Sequence, residues 1–223
     1  MTEAVSLLPS TDGPRGAVLQ ASLAPEKGKR TAPSLFIGRA ETGFFGDRPA
    51  HDPAFSTTAL TRTGAADVLV IRALIEEAES RRDGYDAVQH GARIKPGKRP
   101  TQMTVAEIYH WIDRTPGQPH AIGRYQFIPA TLKRVMRVLD IDPALRFSPQ
   151  LQDRLADVLL AEAGLARLRA GQISRHAFMN NLAKIWAGLP NSSGKSHYAG
   201  YAGNKASISW ARFDAALARV FPS

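Results

Sequence analysis

The chain contains no cysteine, which removes disulfide frameworks, thiolate nucleophiles and thiolate zinc sites together. It has no long uncharged apolar run, and its mean hydropathy is -0.23, so no membrane-spanning helix is expected. Strand-like alternation is scarce, the one candidate hairpin lying around Tyr85 to Ile94, and no repeat of solenoid period is visible. The opening residues, MTEAVSLLPSTDGPRG, lack both parts of a secretory leader. Glu3 stands where positive charge is wanted, and Pro9 and Asp12 interrupt any apolar stretch. The expectation is a chain made in the cytoplasm without a Sec signal. His90, His110, His120, His176 and His197 are scattered, with no spacing suited to a metal, and read as solvated or capping residues.

What is present is a 223-residue, 24.2 kDa chain with 43% apolar and 22% charged residues. That is one ordinary domain with something left over, and enough core to fold without staples. Lys and Arg number 29 against 20 Asp and Glu, giving +9 and a pI near 10.2. An anionic partner follows: nucleic acid, acidic lipid or cell-wall polymer. The basic loop from Arg93 to Arg99 favours nucleic acid. No helix-turn-helix pair, RNP string or zinc spacing accompanies it, so no nucleic-acid partner is expected.

Residues 1–66 differ from the rest. Six prolines and seven glycines interrupt every apolar cluster there, including Leu35-Phe36-Ile37 and Phe44-Phe45. Two readings stand: an extended arm that docks on a protein partner, or a solvated leader. Seven basic and six acidic residues leave the arm at +1, so +8 of the +9 belongs to residues 67–223. From Ala66 onward the pattern is helical. Val68, Ile71, Leu74, Ile75 and Ala78 share a face of a helix entered through Asp67. Thr104 and Glu107 form a capping box for a helix through Trp111. Pro129 opens a third helix, and Ser148-Pro149 opens a longer one carrying Leu151 to Leu168 and stopping near Gly171. Ser174 caps a helix ending at Gly188 and Pro190, and Trp210, Phe213, Leu217 and Val220 mark the last. A mainly helical domain with one small β-hairpin is expected.

Most acids, including Glu76, Glu77, Asp153, Asp157 and Glu162, lie on helices and read as solvated. Glu79 stands apart. It ends a strongly apolar helix, is followed by Ser80, and leads into Arg81-Arg82-Asp83-Gly84-Tyr85-Asp86. A carboxyl there, facing a cleft, would hold its proton towards neutral pH, as a general acid must. The competing account is a surface salt bridge to Arg82. In Gly123-Arg124-Tyr125-Gln126, the tyrosine offers a ring and a hydroxyl, and Gln126 a donor and an acceptor. That mix suits a sugar, although capping of the next helix explains it equally. Trp186 reads as core or ligand platform, and Tyr198, on a Gly/Ser loop, as a groove-lining ring.

Together and in this order, Glu79-Ser80, Gly84-Tyr85-Asp86-Ala87-Val88, Gly123-Arg124-Tyr125-Gln126, Phe147-Ser148-Pro149-Gln150-Leu151-Gln152-Asp153 and Ile185-Trp186-Ala187-Gly188-Leu189-Pro190 resemble the phage lambda endolysin family of lysozyme-like peptidoglycan-cleaving enzymes. The resemblance spans about residues 68–220 and none of the arm. It implies a bilobal lysozyme-like fold with a glycan groove and Glu79 as the single catalytic residue. Ser80, Tyr85, Asp86, Arg124, Tyr125, Gln126, Trp186 and Tyr198 would then be substrate-binding. The implied reaction cleaves the MurNAc-β-1,4-GlcNAc bond by lytic transglycosylation, giving 1,6-anhydro-MurNAc ends without metal or cofactor. Hydrolysis by a muramidase of the same fold is the alternative, as is a non-catalytic wall-binding component of a phage-like particle. Peptidoglycan glycan strands are the implied partner. The site of action would be the periplasmic cell wall, reached after release or aboard a virion-like particle. Two segments depart from the family pattern, Gln89 to Gln118 and Asn191 to Ser207, and both would border the groove.

Overall fold

The computed structural model describes residues 66–201 and 203–222. The arm expected over residues 1–66 lies, apart from Ala66, outside the described residues. Among those described, seven α-helices follow one another: α1 (Ala66–Glu79), α2 (Val105–Arg114), α3 (Pro129–Val138), α4 (Pro149–Ala163), α5 (Leu165–Arg169), α6 (Arg175–Ala183) and α7 (Trp210–Ala218). Their starts are set by local chemistry. Thr104 and Glu107 exchange backbone hydrogen bonds at the head of α2. The hydroxyls of Ser148, Ser174 and Ser209 accept from Leu151, Ala177 and Arg212 at the heads of α4, α6 and α7. None of the helices described is long and apolar enough to cross a membrane.

The expected long helix through Leu168 is two helices. Gly164 adopts φ +99° and ends α4, and α5 restarts at an angle that brings Leu165 and Leu168 into the core. The expected hairpin at Tyr85 to Ile94 is absent. Gly84–Asp86 forms a 3₁₀ turn instead, and Val88 makes an isolated bridge to Ile122, far along the chain. Ile122 also bridges Phe127 across the Gly123–Gln126 turn, with reciprocal bonds of 3.1 and 2.9 Å. Gly84, Gly91 and Pro96 leave too few consecutive residues for a ladder to propagate. Strand contacts among the described residues are therefore single bridges, without a sheet.

α1 runs through the core and packs on α7, which packs on α6; α4 lies against α3, α5 and α6. Ile71, Leu74, Ile75, Leu132, Val135, Leu155, Leu159, Phe178, Leu182, Phe213 and Leu217 are all but inaccessible. One charged residue joins them. Arg72 is 3% exposed, donating to Asp153 at 2.9 Å and to both Asp157 oxygens at 2.7 and 2.8 Å. Asp153 in turn accepts from Tyr85 at 2.9 Å and from Tyr125. Arg124 joins Tyr85 to Glu76, at 2.7 Å on each side. Glu162 pairs with Arg134, and Glu77 with Arg212. The reading as solvated holds for Glu77, whose pair with Arg212 is exposed, and is corrected for Glu76, Asp153, Asp157 and Glu162: α1 and α4 face each other through the buried Arg72 and its two aspartates, which periodicity alone treats as surface.

Removing Arg72 would leave Asp157 without its paired guanidinium and Asp153 with only the more distant Arg124, at 3.9 Å, in a mostly dry site. Arg72→Ala should cost about 3–5 kcal/mol of unfolding free energy, whereas Arg212→Ala, at the exposed pair with Glu77, should cost under about 1 kcal/mol. Urea titration of both variants against wild type checks the contrast.

Candidate active site

Glu79 is the last residue of α1. Its Oε1 accepts a 2.8 Å hydrogen bond from the backbone N–H of Gly188, in the loop that leaves α6. The two backbones touch. A Cβ on Gly188 would stand 2.5 Å from the Ala78 carbonyl oxygen and 3.0 Å from Glu79 Oε1, so only glycine permits the approach. The N–H of Ser207 donates to the Gly188 carbonyl at 2.8 Å, holding the loop from its other side. The expected alternative, a surface pair with Arg82, is not formed: Arg82 has no ion-pair partner among the described residues.

Glu79 keeps part of its surface in solvent, yet burial of its carboxyl is the dominant influence on its ionisation. Desolvation pushes its pKa up to about 7, against a smaller lowering effect from the Gly188 N–H. The position at the C-terminal end of a helix acts in the same sense, since the helix dipole disfavours an anion there. A carboxylic acid half-ionised near neutral pH can both give and take a proton under one set of conditions. Next to it, Ser80 is 7% exposed, and its hydroxyl has no hydrogen-bond partner. Buried hydroxyls are normally satisfied, and this one lies shielded from solvent beside the catalytic candidate with its hydrogen-bonding capacity unused.

The Gly123–Gln126 turn is built around Gln152. That side chain, wholly buried, accepts from the Arg124 N–H at 2.9 Å and donates to the carbonyls of Tyr85 and Phe147, both at 3.0 Å. Gly123 has φ +77°, and a Cβ there would strike the Gln152 amide and the Phe147 ring. Gln126 also lies in the left-handed region, at φ +45°. Its Nε2 donates to the Gly123 carbonyl at 3.0 Å, and the residue is partly exposed. Trp186 Nε1 donates to the Tyr125 carbonyl at 3.1 Å. The turn is thereby tied to the segment carrying Gly188, two residues beyond Trp186.

The sequence-nominated residues divide by exposure. Tyr125 is 1% and Trp186 3% exposed, so neither ring offers a face to a sugar. Burial and the Asp153 carboxylate hold the Tyr125 phenol well above its ordinary pKa, and it serves as a neutral donor. Arg124 is mostly covered, its guanidinium 4.9 Å from the centre of the Tyr85 ring. Asp86 accepts from the N–H and hydroxyl of Thr101, at 2.9 and 2.7 Å, and so anchors the following loop. Tyr85 and Tyr198 are partly exposed; the Tyr198 hydroxyl donates to the Lys184 carbonyl at 2.6 Å. His120, read as solvated or capping, is instead buried edge-on to Trp111 and bonded to Thr115. Two site residues escaped the sequence reading, the Gly188 N–H and Gln152. Both sit inside strings quoted for the resemblance, where their type alone carries no role.

Fold and site define a mainly helical protein in which the Glu79 carboxyl can carry a proton near neutral pH. The family model described as Endolysin matches residues 71–212, a span that includes Glu79, the Gly123–Gln126 turn and Gly188. The chain belongs to the endolysin family, the phage enzymes that degrade the bacterial cell wall. No curated protein and no solved structure matches it. Among the described residues no group of three or more His, Asp or Glu is placed to hold a metal ion.

Two outcomes follow from this geometry. Gly188→Ala should displace the loop from α1 and lower lytic activity by at least about tenfold, because a 1 Å shift at a site is felt on that scale. Turbidity loss of a cell-wall suspension measures it. Separately, Glu79 titrates near 7 when folded against an ordinary 4.5. The fold therefore bears no penalty from this group below the lower value, and loses stability as pH rises between the two, by up to about 3 kcal/mol. Glu79→Gln removes that titration. Its thermal midpoint should exceed that of wild type at about pH 8 and match it at about pH 4.

Proposed function

We propose that residues 67–223 form a lytic transglycosylase in which Glu79 is the single catalytic residue. The observation that carries this reading is the hydrogen-bonded, desolvated Glu79 carboxyl, with a pKa near 7, in a chain of the endolysin family. Protonated Glu79 donates to the oxygen linking MurNAc C1 to GlcNAc C4, and that C1–O bond breaks. The substrate's own acetamido oxygen stabilises the electron-poor C1, as in substrate-assisted glycosidases. Glu79, now a carboxylate, takes the proton from the muramic 6-hydroxyl as that oxygen bonds to C1. The 1,6-anhydro ring closes and the acid is regenerated. Neither water nor a second carboxylate enters the sequence. The engagement of Asp86 by Thr101 is in keeping with a one-acid scheme.

Gln126, Tyr85 and Tyr198 keep partial exposure and are the proposed substrate contacts; Ser80, buried beside Glu79, acts by positioning it. Arg124, Tyr125 and Trp186 act through the contact residues, as positioning residues. Asp86 acts through the loop that it anchors. The positive balance of residues 67–223 adds residence on an anionic wall.

Mass spectrometry of digested muropeptides is the decisive measurement. Transglycosylation leaves products without added water, and hydrolysis adds one water at each cut. Glu79→Gln should abolish clearing while retaining wall binding; equal clearing by wild type and variant would exclude the enzymatic reading. The rate should also fall as pH rises above about 7, because the acid form of Glu79 starts the reaction.

A further inference from the structure

A cavity of about 540 Å³ lies between the turn after α1 and the basic loop, lined by Arg82, Asp83, Asp86, Val88, Lys95, Pro96, Lys98, Arg99 and Pro100. It is an open, mostly polar trough and not an enclosed pocket, suited to a flexible polar chain more than to a buried small molecule. Its loop wall is held at both ends. At one end, Gln118 brackets Ile94, accepting from its N–H at 2.9 Å and donating to its carbonyl at 2.8 Å, and Trp111 Nε1 adds a 2.9 Å bond to the same carbonyl. At the other end, Asp86 clamps Thr101 through two bonds. Pro96 and Pro100 stiffen the stretch between. The cavity is thus pre-organised, although its loop is exposed.

The charges in it are largely unused. Lys98 is paired with Glu107 at 2.8 Å, but Arg82, Lys95 and Arg99 have no ion-pair partner among the described residues. Asp83 and Asp86 bring two carboxylates into the same lining. Four basic side chains against two carboxylates make the lining attractive to anions in general, and the two carboxylates add a place for an amine that a pure polyanion leaves unused, so the lining is best complemented by a ligand with carboxylates and an amine together. The peptide stem of peptidoglycan has that composition, and it leaves the muramic residue whose bond is cut. Arg82 and Asp83 belong to the turn that begins just after Glu79, where the Asp83 N–H donates to the Ser80 carbonyl.

We propose that this cavity is a stem-peptide subsite, in which Lys95, Arg99 and Arg82 take free carboxylates and Asp83 takes the amine of a diamino acid. The proposal rests on the endolysin reading of the substrate, but its test does not require turnover. The full-length Glu79→Gln chain is titrated calorimetrically with two probes. One is a disaccharide carrying its stem peptide with free carboxylates, and the other is the same disaccharide without peptide. The stem-bearing probe should bind about fivefold or more tightly, and added salt should erode the difference. Adding Lys95→Ala and Arg99→Ala should abolish the preference with the unfolding midpoint unchanged, since both side chains are exposed. Equal affinity for the two probes overturns the proposal. So does a preference that survives the added substitutions, or displacement of the stem by a glycerol-phosphate oligomer. Absence of lysis by wild type would instead overturn the catalytic reading and leave the binding result standing.

Discussion

The approach of the Gly188 backbone to the end of α1 is the constraint on which the site depends. It places an N–H 2.8 Å from Glu79 and closes protein around the carboxyl without supplying a positive charge. A lysine or arginine in place of that N–H would favour the carboxylate and remove the acid. A backbone amide is weaker, so desolvation prevails and the proton stays near neutral pH. The helix itself is ended by Arg81, which turns left-handed at φ +49° and returns its N–H to the Glu76 carbonyl at 2.7 Å.

Around this contact the chain is cross-tied. Trp186 links the loop before Gly188 to the Tyr125 carbonyl, the Tyr125 hydroxyl reaches Asp153, and Asp153 binds Arg72 in the middle of α1. The path returns to the helix that bears Glu79. Each link is short, mostly buried and directional, so the carboxyl, the turn and α4 are held in one register. Such networks rigidify when every member is satisfied. Here the Nε atoms of Arg72 and Arg124 remain without partners, a cost carried by the surrounding pairs.

Much of the helical order was legible in the sequence because caps and apolar spacing are local signals. The capping box at Thr104, the caps at Ser148 and Ser174 and the core face of α1 all read directly. Three features were not. The break at Gly164 needs the fold to say that a glycine inside a periodic run turns left-handed. The hairpin failed because Val88 pairs with Ile122, and pairing between distant segments leaves no trace in local alternation. Arg72, Asp153 and Asp157 look like surface charges until α1 and α4 are seen face to face. At the site, spacing alone leaves Glu79 between a cleft-facing acid and a surface pair with Arg82, and only the burial seen in the fold separates the two. The burial of Tyr125 and Trp186 is not legible either, since an aromatic beside a glycine fits a ligand wall and a core equally well.

Single bridges in place of a sheet have a further consequence. A sheet edge is a row of unpaired backbone groups against which another chain can add a strand. Among the described residues, Val88, Ile122 and Phe127 meet as isolated pairs, with Ile122 and Phe127 themselves buried. No long open edge is left there to template growth from one molecule to the next. In this part of the molecule, a second copy finds no folded strand edge on which to add its own.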